Sequence, residues 1–148
     1  FDTPYLSAAQ LKQAIIDVCE ETDASRLQLK FVSFGYKYGL PIDADVVFDV
    51  RCLPNPFYIP ELKGLTGNDK VVFDYVFSFP QAIVFRDKLI DLLQFTVPLY
   101  IDEGKSQLVV AIGCTGGKHR SVSFVNYMVE HLKFEDVNMV ITHRDIVK

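Results

Sequence analysis

An apolar run, Leu108-Val109-Val110-Ala111-Ile112, leads directly into Gly113-Cys114-Thr115-Gly116-Gly117-Lys118-His119-Arg120-Ser121. The run reads as a fully buried strand, because a strand covered on both faces loses polar–apolar alternation. Beyond it, Val122, Val125, Met128, Val129 and Leu132 fall on one face of a helix. A strand, a glycine loop and a helix in immediate succession point to an α/β fold. The junction also aims the unpaired N–H groups of the first helical turn at whatever lies above it. Gly116 and Gly117 let backbone approach a ligand with no Cβ in the way, and Lys118, His119 and Arg120 add side-chain cations. The stretch is a candidate anion site.

Two sharper motifs compete for the same residues. A phosphate-binding Walker loop needs G-x-x-x-x-G-K-[ST]; here Gly113 stands one residue too close to Gly117-Lys118, and His119 replaces Ser/Thr. That reading fails. Cys114 and Arg120, with Ser121, do fit C-x-x-G-x-x-R-S, the loop of cysteine-dependent phosphatases. In that chemistry Cys114 attacks phosphorus, Arg120 clamps the phosphoryl oxygens and Ser121 assists the leaving thiolate. Against it, Gly113 occupies the usual place of a histidine, and no Trp-Pro-Asp or Asp-Pro segment supplies a leaving-group acid. Phosphatase activity is therefore the alternative, and a non-catalytic binding module is the preferred reading.

The chain has 148 residues, enough for one domain with a substantial core, and no apolar run approaches the length of a membrane span. Phe1-Asp2-Thr3-Pro4 lacks an initiator Met, a basic start and an apolar signal core, which suggests a piece excised from a longer chain. Cys19, Cys52 and Cys114 are odd in number and irregularly spaced, so a reducing cytoplasm is expected rather than a disulfide framework. The net charge of −4 argues against a general nucleic-acid coat. Contact with phosphate or nucleic acid must then come from a local basic patch. The spacing of His119, His131 and His143 relative to the cysteines suits no metal site.

Taken in order, Ser7-Ala8-Ala9-Gln10 is a capping pattern for a helix running to about Asp23. Leu27 to Ser33 suits a strand, ending in a loop that carries Lys37 between Tyr36 and Tyr38. A second strand, Val46 to Val50, ends at Arg51. Leu53-Pro54-Asn55-Pro56-Phe57-Tyr58-Ile59-Pro60, with Gly64 and Gly67 beyond, is too rich in proline for a helix or a central strand. It is either a lid held by Phe57, Tyr58 and Ile59 or an oligomer surface. Val71 to Phe79 reads as a short helix. Gln81 to about Val97 reads as a longer one, with Phe85, Leu89, Leu92 and Leu93 inward and Arg86, Asp87, Lys88 and Asp91 outward. Pro98 should end or kink it. Asn138 to Thr142 is a last strand, ending in His143-Arg144-Asp145. The expected architecture is a single α/β domain whose small, mostly parallel sheet of four to five strands is flanked by helices.

Every expected strand thus runs into a basic residue: Lys37, Arg51, the Lys118–Arg120 cluster, and His143 with Arg144. Ligands of open α/β sheets bind beyond the carboxyl ends of the strands, so these side chains should meet in one basin. Singly, Arg51 could simply pair with Asp49, and His143 could be an ordinary surface histidine. Together they suit phosphate, whether of a phosphosugar, a nucleotide or a nucleic-acid backbone.

Ser33-Phe34-Gly35-Tyr36-Lys37-Tyr38-Gly39, Phe48-Asp49-Val50-Arg51, Leu53-Pro54-Asn55-Pro56, Leu65-Thr66-Gly67 and Ile112 to Val122 form a set of segments. Together they resemble the C-terminal domain of the RapZ family of bacterial nucleotide-binding proteins, one branch of which acts as RNase adapters. The resemblance spans about residue 25 to Asp145. It implies that residues 1–148 form the C-terminal half of a chain whose N-terminal P-loop domain hydrolyses ATP or GTP, leaving no nucleotide cofactor and no enzyme activity to this half. It also implies recognition of a phosphorylated amino sugar (glucosamine-6-phosphate), binding of regulatory RNA together with an RNase, and homo-oligomer formation. On this view Lys37, Arg51, Cys114, Thr115, Gly116, Gly117, Lys118, His119, Arg120, Ser121, His143 and Arg144 form the ligand site.

Overall fold

The computed structural model describes residues 27–148; the helix expected at Ser7–Asp23 lies outside the described residues. Strands β1 (Leu27–Gly35), β2 (Val46–Asp49), β3 (Gln107–Cys114) and β4 (Val137–His143) form one parallel sheet in the order β2-β3-β1-β4. The two central strands end side by side, with Gly35 paired to Cys114. Helices α1 (Pro60–Lys63), α2 (Lys70–Val76), α3 (Pro80–Asp102) and α4 (Arg120–His131) complete the domain.

The two sheet faces are covered differently. Leu27, Leu29 and Phe31 of β1 and Leu108, Val110 and Ile112 of β3 share one buried cluster with Phe124, Val125 and Met128 of α4 and Leu89, Leu93 and Val97 of α3. Each such side chain contributes roughly 2 kcal/mol when fully buried. On the opposite face Val32, Phe34, Val109 and Ala111 are covered by Tyr36 and Ala44 of the β1–β2 connection. Asp45 latches that connection to β3: its N–H donates to the Val109 carbonyl, and its carboxylate accepts the Val109 N–H at 2.8 Å. The connection after β1 leads toward β2, and the one after β3 leads toward β4 on the far side of β1. The carboxyl ends of β1 and β3 therefore border a crevice left by chains departing in opposite directions.

Several details differ from expectation. Strand β1 continues two residues past Ser33, because Phe34 and Gly35 still pair with Gly113 and Cys114. Pro98 does not end α3, which runs on to Asp102. Its missing N–H falls on an exposed stretch of the helix, where the unpaired carbonyl can bond to water. The inward stripe of α3 is Ala82, Leu89, Leu93 and Val97, which leaves Leu92 exposed alongside Val84, Phe95 and Leu99. Arg86 is not free in solvent; its guanidinium lies 4.3 Å from the Tyr127 ring centre. The proline-rich stretch is not a plain loop, since Pro56–Tyr58 forms a 3-10 turn capped by the Asn55 side chain, followed by α1.

Candidate anion-binding site

The loop from Thr115 to His119 is folded by its contact with β1. Gly117 has φ +82, and a Cβ there would lie 2.6 Å from the Gly35 nitrogen. The Gly35 N–H donates to Asp145 Oδ2 at 2.8 Å, and Lys37 N–H reaches the Thr115 carbonyl at 3.3 Å. Asp145 is fully buried and also meets Arg144 and Lys148 at 2.7 and 3.2 Å. Burial alone would raise its pKa, but hydrogen bonds from Arg144, Gly35 and Lys148 together hold it below the ordinary value. A buried carboxylate thus fastens the chain end to the glycine crossing.

Arg120 and Cys114 lie beneath this loop. The Arg120 side chain is 3% exposed, and its Nη1 donates to the carbonyls of Arg51 and Leu53, each at 2.9 Å. That pair of bonds pins the Leu-Pro-Asn-Pro segment to the first residue of α4. Nη2 sits 3.4 Å from Thr115 Oγ1, and Nε is buried without a partner among the described residues. The guanidinium edge formed by Nε and Nη2, which is the edge that grips oxyanions side-on, is thus weakly engaged. Cys114 Sγ accepts the Gly117 N–H at 3.3 Å and lies 3.2 Å from Ser121 Oγ.

Two adjoining cavities open over these groups and share Lys37, Phe57 and Gly116 in their walls. The larger, about 500 Å³, also takes in Tyr38, Lys63, Lys118, His119 and Lys148. The smaller, about 210 Å³, reaches Asn55, Tyr58, Cys114, Thr115 and Arg120. Among the described residues no carboxylate belongs to either lining, in a protein whose net charge is −4. His119 is 6% exposed and its Nε2 has no partner. Burial pushes its pKa down, outweighing the carbonyls of Leu65, Lys63 and Leu62 around it.

Seven of the twelve residues singled out in the sequence therefore border this cleft: Lys37, Cys114, Thr115, Gly116, Lys118, His119 and Arg120. The other five do not. Gly117 and Ser121 are buried supports of the loop. Arg51 turns to Asp49, with contacts of 2.8 to 3.1 Å, and stacks 3.7 Å from the Tyr36 ring centre. Arg144 is spent on Asp145 and on the Gly39 carbonyl at 2.6 Å. His143 bridges Ser33 Oγ at 2.7 Å and Asn126 Oδ1 at 3.0 Å, a pattern that places its proton on Nε2. The expected basin of four strand ends is narrower than that; it draws on the first and third and on the segment after β2. Lys63 and Lys148, which did not stand out in the sequence, join it, as does Asn55 of the Leu-Pro-Asn-Pro segment. Phe57 and Tyr58, expected on a lid or an oligomer surface, are 47% and 78% exposed at its rim.

His119 and His143 both titrate below the ordinary 6.5 because they are buried. The unfolded chain therefore takes up protons below that pH before the folded one does, so stability falls as pH drops through this window. Melting temperature is expected to decline between pH 7 and pH 5, and a flat profile over that range would show the two rings to be freely charged.

A family profile described as the RapZ C-terminal domain matches residues 27–147. A protein from Thermoanaerobacter sp. strain X514, named a nucleotide-binding protein, is 53% identical over 146 residues, covering 98% of this chain and 51% of its own length. Nucleotide-binding proteins from Bacillus pumilus and Carboxydothermus hydrogenoformans are 51% and 48% identical, over 100% and 99% of this chain and 50% and 51% of theirs. The chain spans about half the length of the curated relatives it matches. Among the described residues no helix is long and apolar enough to cross a membrane. The loop, its buried arginine and the segment that arginine holds all fall inside the matched region, and the chain belongs to the RapZ C-terminal domain family.

Proposed function

We propose that this domain is a non-catalytic sensor that binds a phosphorylated small molecule, of the amino-sugar phosphate class, in the cleft over Gly116. One observation carries the reading: Lys37, Lys63, Lys118, Lys148 and Arg120 surround a cleft that no carboxylate among the described residues lines. The phosphate takes the amides that open α4 and the Nε–Nη2 edge of Arg120. The sugar lies against Phe57 and Tyr38, and Asn55 and backbone carbonyls are left for its amino group. The two volumes, roughly 500 and 210 Å³, fall near the size range of small-ligand sites.

In the same reading, regulatory RNA approaches the cleft mouth, where four lysines face its backbone and exposed Tyr38 and Tyr58 offer stacking surfaces. Metabolite and RNA then compete for shared cations, which gives an adapter of RNase action its switch. Nucleotide hydrolysis belongs to the half of the longer protein that this chain does not cover. Self-association uses the exposed stripe Val84, Leu92, Phe95 and Leu99, beside an apolar groove between Phe48 of edge strand β2 and Phe85.

Lys118→Ala removes a charge from the cleft without touching the core. It is expected to weaken glucosamine-6-phosphate binding by about 1 kcal/mol, or roughly fivefold, as lost charge-assisted contacts do. Calorimetry with glucosamine-6-phosphate, glucose-6-phosphate and inorganic phosphate reads both the loss and the sugar preference. Equal affinity of wild type and variant for all three would take the ligand out of this cleft.

A further inference from the structure

We propose that Cys114 is a phosphoryl-accepting nucleophile that reacts fastest with phosphate donors whose leaving group departs as a stable anion. The proposal rests on the anion-site reading and adds a covalent step to it. Cys114 lines the smaller cavity together with Arg120 and Lys37, two cations that would hold a phosphate within reach of it. The Gly117 N–H already points at Sγ from 3.3 Å, and Ser121 Oγ stands 3.2 Å away, two hydrogen bonds that a thiolate accepts. The independent sign of an oxyanion is Arg120, almost wholly buried, with Nε unpartnered while Nη1 is fixed by two carbonyls.

The same lining limits the donor. Asn55, Phe57 and Tyr58 line the rest of that cavity, the space left for a leaving group. Among the described residues no carboxyl or imidazole group lines that cavity, and Lys37 and Tyr58 are the proton donors near a departing alkoxide. Alkyl phosphates such as sugar phosphates depend on one of those two groups to protonate the alkoxide. Acyl phosphates need no acid, because the carboxylate leaves already stable as an anion. In the step, the thiol gives its proton to bulk water and Sγ forms a bond to phosphorus. The phosphorus–oxygen bond to the acyl group breaks, and the carboxylate takes the electron pair. The products are S-phosphocysteine, a carboxylate and one proton.

Cys52 is exposed and serves as an internal control. Incubation with acetyl phosphate, followed by intact-mass and peptide-mass measurement, is expected to place one phosphoryl group on Cys114. The rate should exceed that at Cys52 by about tenfold or more, a small part of what a positioned nucleophile gains. Excess inorganic phosphate is expected to slow the reaction. Ser121→Ala keeps the thiol and removes its neighbouring hydroxyl, and is expected to slow labelling in a protein whose circular dichroism stays native. Equal labelling of both cysteines, or an acetyl adduct in place of the phosphoryl one, overturns the proposal. An unlabelled Cys114 in protein that still binds phosphate by calorimetry overturns it too, and leaves the anion site standing. Labelling that excess phosphate does not slow overturns both.

Discussion

Gly117→Ala is expected to destabilise the domain by about 3 kcal/mol or more and to lower its melting temperature by about 10 °C. Two effects combine there. The backbone sits at φ +82, where an L side chain is strained, and a Cβ would stand 2.6 Å from the Gly35 nitrogen and 2.9 Å from the Phe34 carbonyl carbon. Neither neighbour is the end of a flexible side chain. The loop would have to lift from β1, and Cys114 would lose the Gly117 N–H it accepts. Gly104 separates the two effects: its φ is +97, but nothing lies within 4 Å of a Cβ built on it. Gly104→Ala should therefore cost only the conformational part, about 1 kcal/mol. Chemical denaturation of both variants measures the difference. Equal costs would mean that the crossing of Gly117 over Gly35 is loose, and the cleft above it would lose its rigid floor.

The strand-to-helix junction was legible because its signals are local. An apolar run, two glycines and helical spacing need no knowledge of the rest of the chain, and β3, the loop and α4 lie where they point. Strand ends were legible too, but the direction of a side chain there was not. Arg51, His143 and Arg144 all stand at carboxyl ends of strands, yet each is drawn to a nearby partner. Asp49 lies two residues from Arg51 and Asp145 one from Arg144, whereas Ser33 meets His143 across 110 positions. A short-range carboxylate captures an arginine more readily than a shared basin does, since little side-chain freedom is lost in the pairing. Lys63 and Lys148 reach the cleft only through the docking of α1 and of the chain end, contacts that no local pattern encodes. Asp145 shows the same limit. In the sequence it merely follows two basic residues, whereas in the fold it is fully buried and holds the Gly35 amide.

Arg120→Ala is expected to lower both stability, by about 3 kcal/mol, and phosphate affinity, by roughly tenfold or more, and the two losses have separate origins. Stability is lost because the carbonyls of Arg51 and Leu53 give up the one guanidinium nitrogen that both accept from at 2.9 Å. Unsatisfied carbonyls near a core cost about 1–3 kcal/mol each, and the Leu-Pro-Asn-Pro segment would swing free of α4. Affinity is lost because a guanidinium disappears from the lining of the smaller cavity. Arg120→Lys tells these apart from a pure charge effect. A single ammonium on a flexible stem cannot bridge two carbonyls and also present a flat two-pronged edge to an oxyanion. It should therefore recover little of either quantity, although it restores the charge. Denaturant titration gives the first quantity, and phosphate calorimetry at a temperature where both variants remain folded gives the second. Unchanged stability would show that Nη1 is not an anchor. Full phosphate affinity in folded Arg120→Ala would take this arginine out of the ligand site and leave the lysines to bind alone.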